Sequence, residues 1–281
     1  MNAGVAQLVA LTAHGNWVLG SQGPQEGVDL AQNSTLQYLR ELSFTRSRSA
    51  VGLRLPSRIV GHTVPEWYAA LRTQGVARLV LSRTLTGGSP LLKPHQAVAF
   101  AGGEQAAIVA VLPSGKTELW APEWRVADSK APDQRIWAVR YRASEGPPLF
   151  PEIAGPTPNT AAAILKTVLE EIGDFASRQG LGTWVPWFER AGRLLQGDAS
   201  ELPYHADLLP PAGYSPEARR LLNGCIGAWV FGGMGSWNDT GPDDPEELPR
   251  YEALSTELYE AVMNGLVAAT NAFQAPAPVA G

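Results

Sequence analysis

The residues of this sequence that are best suited to act together in chemistry lie in one stretch, residues 231–240, which reads FGGMGSWNDT. Its three glycines permit backbone angles closed to other residues and let a ligand or another backbone approach closely. A hydroxyl, an indole, an amide and a carboxylate follow in direct succession. Loops held by rigid helices are common places for binding sites. We therefore predict a binding site formed by Gly233, Gly235, Ser236, Trp237, Asn238 and Asp239.

A purely structural explanation of residues 231–240 stands beside the functional one. Gly232 can end the preceding helix in the left-handed conformation, and Trp237 can fill the space between helices. Asn and Asp side chains commonly bond to backbone amides in turns. The stretch is not a nucleophile elbow, because its serine follows Gly-Met-Gly after a predicted helix. It is not a phosphate loop either, since no Lys-Ser or Lys-Thr pair follows. The sequence assigns no catalytic residue.

One histidine joins the predicted site. His205 lies two residues before Asp207, whose carboxylate could orient the imidazole for proton transfer. The alternative is a histidine in an ordinary surface loop, which is the commoner case.

The sequence predicts no metal and no cofactor. The four histidines are far apart, and none forms the i, i+4 pair that holds a metal ion on a helix. Asn238, Asp239, Asp243 and Asp244 offer oxygen ligands, but their spacing fits no calcium loop. The single cysteine, Cys225, excludes an internal disulfide and lies on the apolar stripe of a predicted helix.

Composition limits the class of partner. The net charge is −5 and the 22 basic residues are scattered, so we expect no nucleic-acid partner. Residues 40–58 are locally basic and could form an anion site, but a solvated loop is the simpler explanation of these charges. Only 17% of residues are charged and nine are tryptophan, which favours a surface covered by a protein partner. The apolar runs are too short to span a bilayer, and we expect a cytoplasmic protein without a membrane partner.

The order of predicted elements indicates an α+β fold with a mostly antiparallel sheet, two inserted helices and a C-terminal four-helix segment. Residues 1–148 form the predicted strand-rich domain. It opens with a hairpin of residues 5–12 and 16–19 around His14-Gly15, and a helix begins at Ser34 or Thr35 with Leu36, Leu39 and Leu42 on one face. A second helix begins at Thr63 and ends at Gly75, and residues 76–85 follow as a strand that suggests a local strand, helix, strand crossover. The remaining predicted strands are residues 106–112, 117–120 and 135–142.

Proline and glycine are dense in residues 144–158, where we place a linker. Residues 159–273 form the predicted helical domain, although they could instead cover the sheet within one domain. Its four helices begin near residues 160, 185, 216 and 250, and the second carries Trp187 on its apolar stripe. Residues 274–281 are predicted to be a mobile tail.

For function the sequence favours a non-catalytic intracellular binding or regulatory protein that acts through protein–protein contacts or self-association. The alternative is a small-molecule enzyme, a hydrolase or transferase, with its site at the loop of residues 232–239. Catalytic residues converge in space, so the lack of a motif does not exclude an enzyme.

Overall fold

The computed structural model of the chain describes residues 1–20, 30–50, 53–83, 92–100, 103, 106–146, 155–198, 200 and 203–275. These residues form one six-stranded mixed sheet and seven α-helices, which confirms the predicted α+β class. The strands are β1 (Leu39–Ala50), β2 (Leu53–Gly61), β3 (Arg78–Arg83), β4 (Ala106–Val111), β5 (Thr117–Val126) and β6 (Trp137–Glu145). The helices are α1 (Ala3–Gly20), α2 (Val64–Thr73), α3 (Pro94–Ala97), α4 (Pro158–Arg178), α5 (Val185–Gln196), α6 (Pro216–Gly227) and α7 (Leu248–Asn271).

The strand order in the sheet is β2-β1-β6-β5-β4-β3. β1 and β6 are parallel neighbours, and every other neighbouring pair is antiparallel. The predicted crossover unit is wrong, because β2 and β3 lie at opposite edges of the sheet. The chain passes from one edge to the other through α2, so the two strands are neighbours in sequence but not in the sheet.

The predicted N-terminal hairpin is also wrong, because residues 3–20 form the single helix α1. Every residue from position 4 to position 16 is buried. A helix buried on all sides has no polar face, so its sequence shows no period of 3.6 residues. Gly15 does not turn the chain. Its lack of a side chain lets Leu79 of β3 and Tyr68 of α2 pack against the helix.

The helix predicted at Ser34 or Thr35 is a turn followed by β1. Leu39 and Phe44, both buried, lie on this strand. The partners of β1 in β6 are almost a hundred residues away in sequence, at Trp137 and beyond. The leucines of this segment have helical spacing, but the segment forms a strand because it pairs with β6. Strand formation depends strongly on the tertiary context of a segment.

Several elements with clear local signals form as predicted. Thr63 caps α2 by accepting a hydrogen bond from the Glu66 amide, and Ser215 caps α6 in the same way. β4 and β5 pair as the predicted hairpin, and the four C-terminal helices are present. Gly197 ends α5 in the left-handed conformation. One detail differs, because Trp187 of α5 is half exposed and does not lie on the buried stripe.

A single cluster of buried apolar side chains includes residues from the sheet and from all four C-terminal helices. α7 contacts β3 and α1, and the Asn271 side chain exchanges hydrogen bonds of 2.8 and 2.9 Å with the backbone of Leu81. Arg83 of β3 forms an ion pair with Glu260 of α7. The division into two domains stays a prediction. Much of the predicted linker, residues 147–154, and most of the predicted mobile tail, residues 276–281, lie outside the described residues.

Candidate functional site

The predicted binding loop, residues 231–240, connects α6 to α7 and is held by Trp237. This side chain is fully buried, and its ring centroid lies 5.0 Å from Tyr251 of α7 and 5.3 Å from Phe188 of α5. The indole Nε1 donates a hydrogen bond of 2.7 Å to the hydroxyl of Ser255 on α7. The hydroxyl of Tyr251 donates to the carbonyl of Trp237. Trp237 therefore ties the loop to α5 and α7.

The polar side chains of the loop bond mainly to the loop itself. The Ser236 hydroxyl donates to the Gly232 carbonyl at 3.0 Å and accepts from the Asn238 amide at 3.3 Å. The Asp239 carboxylate accepts from the Gly235 amide at 2.6 Å. These bonds satisfy turn groups in the manner typical of short polar side chains.

Asn238 extends the loop's contacts to the segment that precedes β4. Its Nδ2 donates a hydrogen bond of 2.8 Å to the carbonyl of His95 in α3. The His95 ring is buried 6.0 Å from Phe231, and burial lowers its pKa below the ordinary value. The Oδ1 atom of Asn238 is buried without a hydrogen-bond partner among the described residues. A native protein usually pairs such an atom with protein or water.

The tip of the loop contrasts with its base. Met234 is fully exposed between Gly233 and Gly235, and Gly235 takes a left-handed backbone angle, φ +82°, that a glycine adopts without strain. Next to the segments that hold the loop is an open cleft of about 730 Å³ between Lys93 and Leu248. The loop thus presents a flexible thioether to solvent while its base stays fixed.

His205 lies in a different polar cluster, formed by the turn before β1 and the connection between α5 and α6. The imidazole is 5% exposed, and its Nδ1 lies 2.8 Å from the Ser34 hydroxyl. Ser34 also binds the Asp207 carboxylate twice, through its hydroxyl at 2.5 Å and its amide at 2.6 Å. The serine donates its only hydroxyl proton to the carboxylate, so Nδ1 of His205 carries a proton and donates to Ser34. Among the described residues, Ser34 thus links the Asp207 carboxylate to the imidazole of His205.

The cluster around Asp207 also holds the sheet part against the helical part. The Asp207 carbonyl lies 3.1 Å from Nε2 of His14 and accepts a hydrogen bond of 2.9 Å from Asn33. Burial lowers the pKa of His205 to about 4, against a smaller opposing effect of the Asp207 charge. Burial also lowers the pKa of His14. Both imidazoles are neutral at neutral pH.

The structure brings together six of the predicted residues, those of the loop, and places the seventh elsewhere. No hydrogen bond or ring contact recorded for the described residues joins His205 to the loop. The loop's partners His95, Tyr251 and Ser255, and Ser34 as the partner of His205, were not predicted from the sequence. Two of these pairs, Asn238 with His95 and His205 with Ser34, are more than a hundred residues apart, and no local signal marks any of the four.

Comparisons with protein-family models, with curated proteins and with solved structures find no match for this chain. Among the described residues, no three His, Cys, Asp or Glu side chains form a group that could hold a metal ion. None of the described helices is long and apolar enough to cross a membrane.

Proposed function

We propose that this chain is a non-catalytic binding protein that acts through protein–protein contacts at the tip of the loop of residues 231–240. The observation that carries the proposal is the full exposure of Met234 on a loop whose base is anchored by the buried Trp237. Methionine adapts its shape to irregular apolar surfaces and is common at binding surfaces that accept several partners.

The anchored base gives the loop an advantage in binding. A partner that covers the Met234 side chain removes apolar surface from water, which contributes roughly 25 cal/mol per Å². Because Trp237 and the bonds of Ser236 and Asp239 already hold the loop, little backbone freedom is lost when a partner binds.

Exposed apolar side chains also lie on α7, which packs against the loop, and next to α3. Leu92 precedes α3, Leu248 begins α7, and both are more than a third exposed. The open cleft beside Leu248 is lined by Pro245, Pro249 and Ala253 together with Lys93, Glu252 and Glu257. Protein interfaces usually combine apolar and polar side chains in this way.

The experiment compares two exposed apolar positions. The wild-type chain and the variants Met234→Asp and Ile164→Asp are immobilised, and the proteins retained from the native host are quantified by mass spectrometry. Self-association is followed in parallel by analytical ultracentrifugation. Ile164 is a matched control because it is 49% exposed on α4, outside the loop and the cleft.

We expect a bound protein, or a dimer of the chain, that is lost in Met234→Asp and retained in Ile164→Asp. The proposal is wrong if every retained protein and the oligomeric state are the same for Met234→Asp and the wild type. Both variants are first shown to unfold at the wild-type denaturant midpoint, so that a loss of binding is not a loss of fold.

A second candidate function, a small-molecule esterase or transferase, is favoured by the contact of Ser34 with His205 and Asp207 rather than by the loop. Attack of the Ser34 oxygen on an ester carbonyl would pass its proton to Asp207, and that proton would then leave with the alcohol, which forms an acyl-serine. Water, or an acceptor alcohol in a transferase, would then attack the acyl-serine, and its proton would return through Asp207 to the Ser34 oxygen as the acid or the new ester is released. Hydrolysis of p-nitrophenyl acetate should then fall to the uncatalysed rate in Ser34→Ala and persist in Ser144→Ala, an exposed serine of β6. Equal rates for the two variants would reject the esterase.

A further inference from the structure

The sheet face turned away from α2 carries polar and charged side chains. Ser43, Arg140 and Glu123 are direct neighbours in the register of β1, β6 and β5, so their side chains share this face. On the opposite face Phe44 stacks on Trp67 of α2, with ring centroids 4.4 Å apart. The two faces therefore differ sharply, one an aromatic core and the other open to solvent.

Three clefts adjoin and share lining residues, so they form one continuous depression, which we call the outer groove. The second and third clefts lie on the open face, and the first extends the groove to the start of α2 at Val64 and Pro65. Their volumes are about 390, 610 and 290 Å³. The first and second clefts share Leu42 and His62, and the second and third share Ser43 and Arg140. Clefts of this size are typical of small-molecule sites.

The two ends of the outer groove differ in chemistry. Six apolar side chains line the first cleft, Leu30, Leu36, Leu39, Leu42, Val64 and Pro65, together with Arg40, Glu41, His62, Thr63 and Arg135. The opposite end is polar and contains the exposed guanidinium of Arg140 together with Glu41, Glu123 and Arg125. Leu39 and Ser43 are four residues apart on β1, so the apolar and polar ends are separated by roughly 13 Å at the usual rise of a strand.

Arg140 has no acidic partner among the described residues. The other arginines that line the groove are engaged: Arg40 pairs with Asp128, Arg125 pairs with Glu41, and Nε of Arg135 donates to the Leu39 carbonyl. Glu123, its register neighbour, is engaged by Arg142 instead, through both Nε and a terminal nitrogen at 3.1 Å. Glu41, the only acidic residue lining the first two clefts, is paired with Arg125. The acids that could neutralise Arg140 are therefore occupied, and its charge faces the groove.

We propose that the outer groove binds an amphipathic carboxylate, with the carboxylate on Arg140 and the apolar chain in the leucine-lined cleft. A guanidinium can donate two parallel hydrogen bonds, one to each oxygen of a carboxylate. The hydroxyl of Ser43, the register neighbour of Arg140 on β1, offers a further donor on the same face. Because the two ends of the groove are well separated, the ligand needs an alkyl chain of medium length, and a short-chain acid would not reach both ends.

The test measures binding of decanoate to the full chain by isothermal titration calorimetry. Butyrate lacks the apolar length, 1-decanol lacks the charge, and decyl phosphate distinguishes a carboxylate site from a general anion site. We expect decanoate to bind more tightly than the other three, and Arg140→Gln to weaken it about tenfold. Arg178→Gln, an exposed arginine at the end of α4, should leave decanoate binding unchanged.

A second pair of variants separates a real charge effect from a general loss of structure. Arg142→Gln frees Glu123 to pair with Arg140, so it should also weaken decanoate binding although Arg142 lines none of the three clefts. The double variant Glu123→Gln/Arg142→Gln removes that competing acid and should restore binding. Equal affinity for decanoate and 1-decanol, or unchanged affinity in Arg140→Gln, would overturn the proposal. So would tighter binding of decyl phosphate, which would indicate a phosphate site.

Discussion

Buried tryptophans lie in two aromatic clusters of this molecule, and the clusters differ in whether the indole N–H has a hydrogen-bond partner. Between the sheet and α2, Trp67 packs against Phe44 and Trp120, yet neither indole N–H of this pair of tryptophans has a hydrogen-bond partner among the described residues. Between the C-terminal helices, Trp237 donates its N–H to Ser255, whose hydroxyl donates in turn to the carbonyl of Tyr251.

The difference shows two ways of positioning a large side chain. The sheet cluster depends on apolar area and ring packing, which tolerate small changes in orientation. The helical cluster adds a directed hydrogen-bond chain, which favours one orientation and penalises others because a buried polar group left unpaired is costly. The second arrangement fits a residue that must fix the position of a loop.

The largest expected effect comes from removing the anchor. Trp237→Ala deletes a fully buried indole, and we expect it to lower the free energy of unfolding by about 3–5 kcal/mol. Trp187→Ala on the neighbouring helix serves as the control, since Trp187 is half exposed and should change stability far less. Urea denaturation followed by circular dichroism measures both. Similar losses in the two variants would show that Trp237 is not an anchor.

A more selective change compares the two clusters directly. Trp237→Phe and Trp67→Phe remove the same volume, but only the first breaks a hydrogen bond and leaves Ser255 without its donor. We expect Trp237→Phe to cost about 1–2 kcal/mol more than Trp67→Phe in the free energy of unfolding. Equal costs would mean that the hydrogen bond to Ser255 does not distinguish the clusters.

The smallest expected effect is a loss of stability at acidic pH. His95 packs beside the loop, and burial lowers its pKa, although Glu252 opposes the shift. The unfolded chain therefore binds a proton at a higher pH than the folded chain. The contribution of His95 to the free energy of unfolding is therefore fully present above 6.5, the ordinary pKa of a histidine in the unfolded chain. It is lost as the pH decreases below that value.

The corresponding measurement is the urea midpoint at pH 7 and pH 5 for wild type and His95→Gln. The wild type should lose stability at pH 5, and His95→Gln should lose less. Some loss should remain in the variant because the pKa of His205 is also lowered, to about 4. A wild type that is more stable at pH 5 would contradict the sign of both shifts.

Local signals in the sequence were sufficient for elements whose boundaries depend on caps and short-range periodicity. Thr63 and Ser215 mark helix starts that the structure confirms, and the stripes of the C-terminal helices predicted their burial. The signals failed for α1, where burial on every side removes the amphipathic period, and for β1. The parallel pairing of β1 with β6 joins segments almost a hundred residues apart, which no local pattern records.

For the candidate site, the sequence by itself determined that Trp237 is a large anchor among glycines and short polar residues. Only the tertiary structure decided what that anchor holds, because Ser255, Tyr251 and His95 come from other elements. The exposure of Met234 and the missing partner of Arg140 are likewise properties of the folded chain. Residue type and spacing indicate which interactions a side chain can form. Burial, and neighbours that are remote in sequence, decide which of these interactions are still available to a partner.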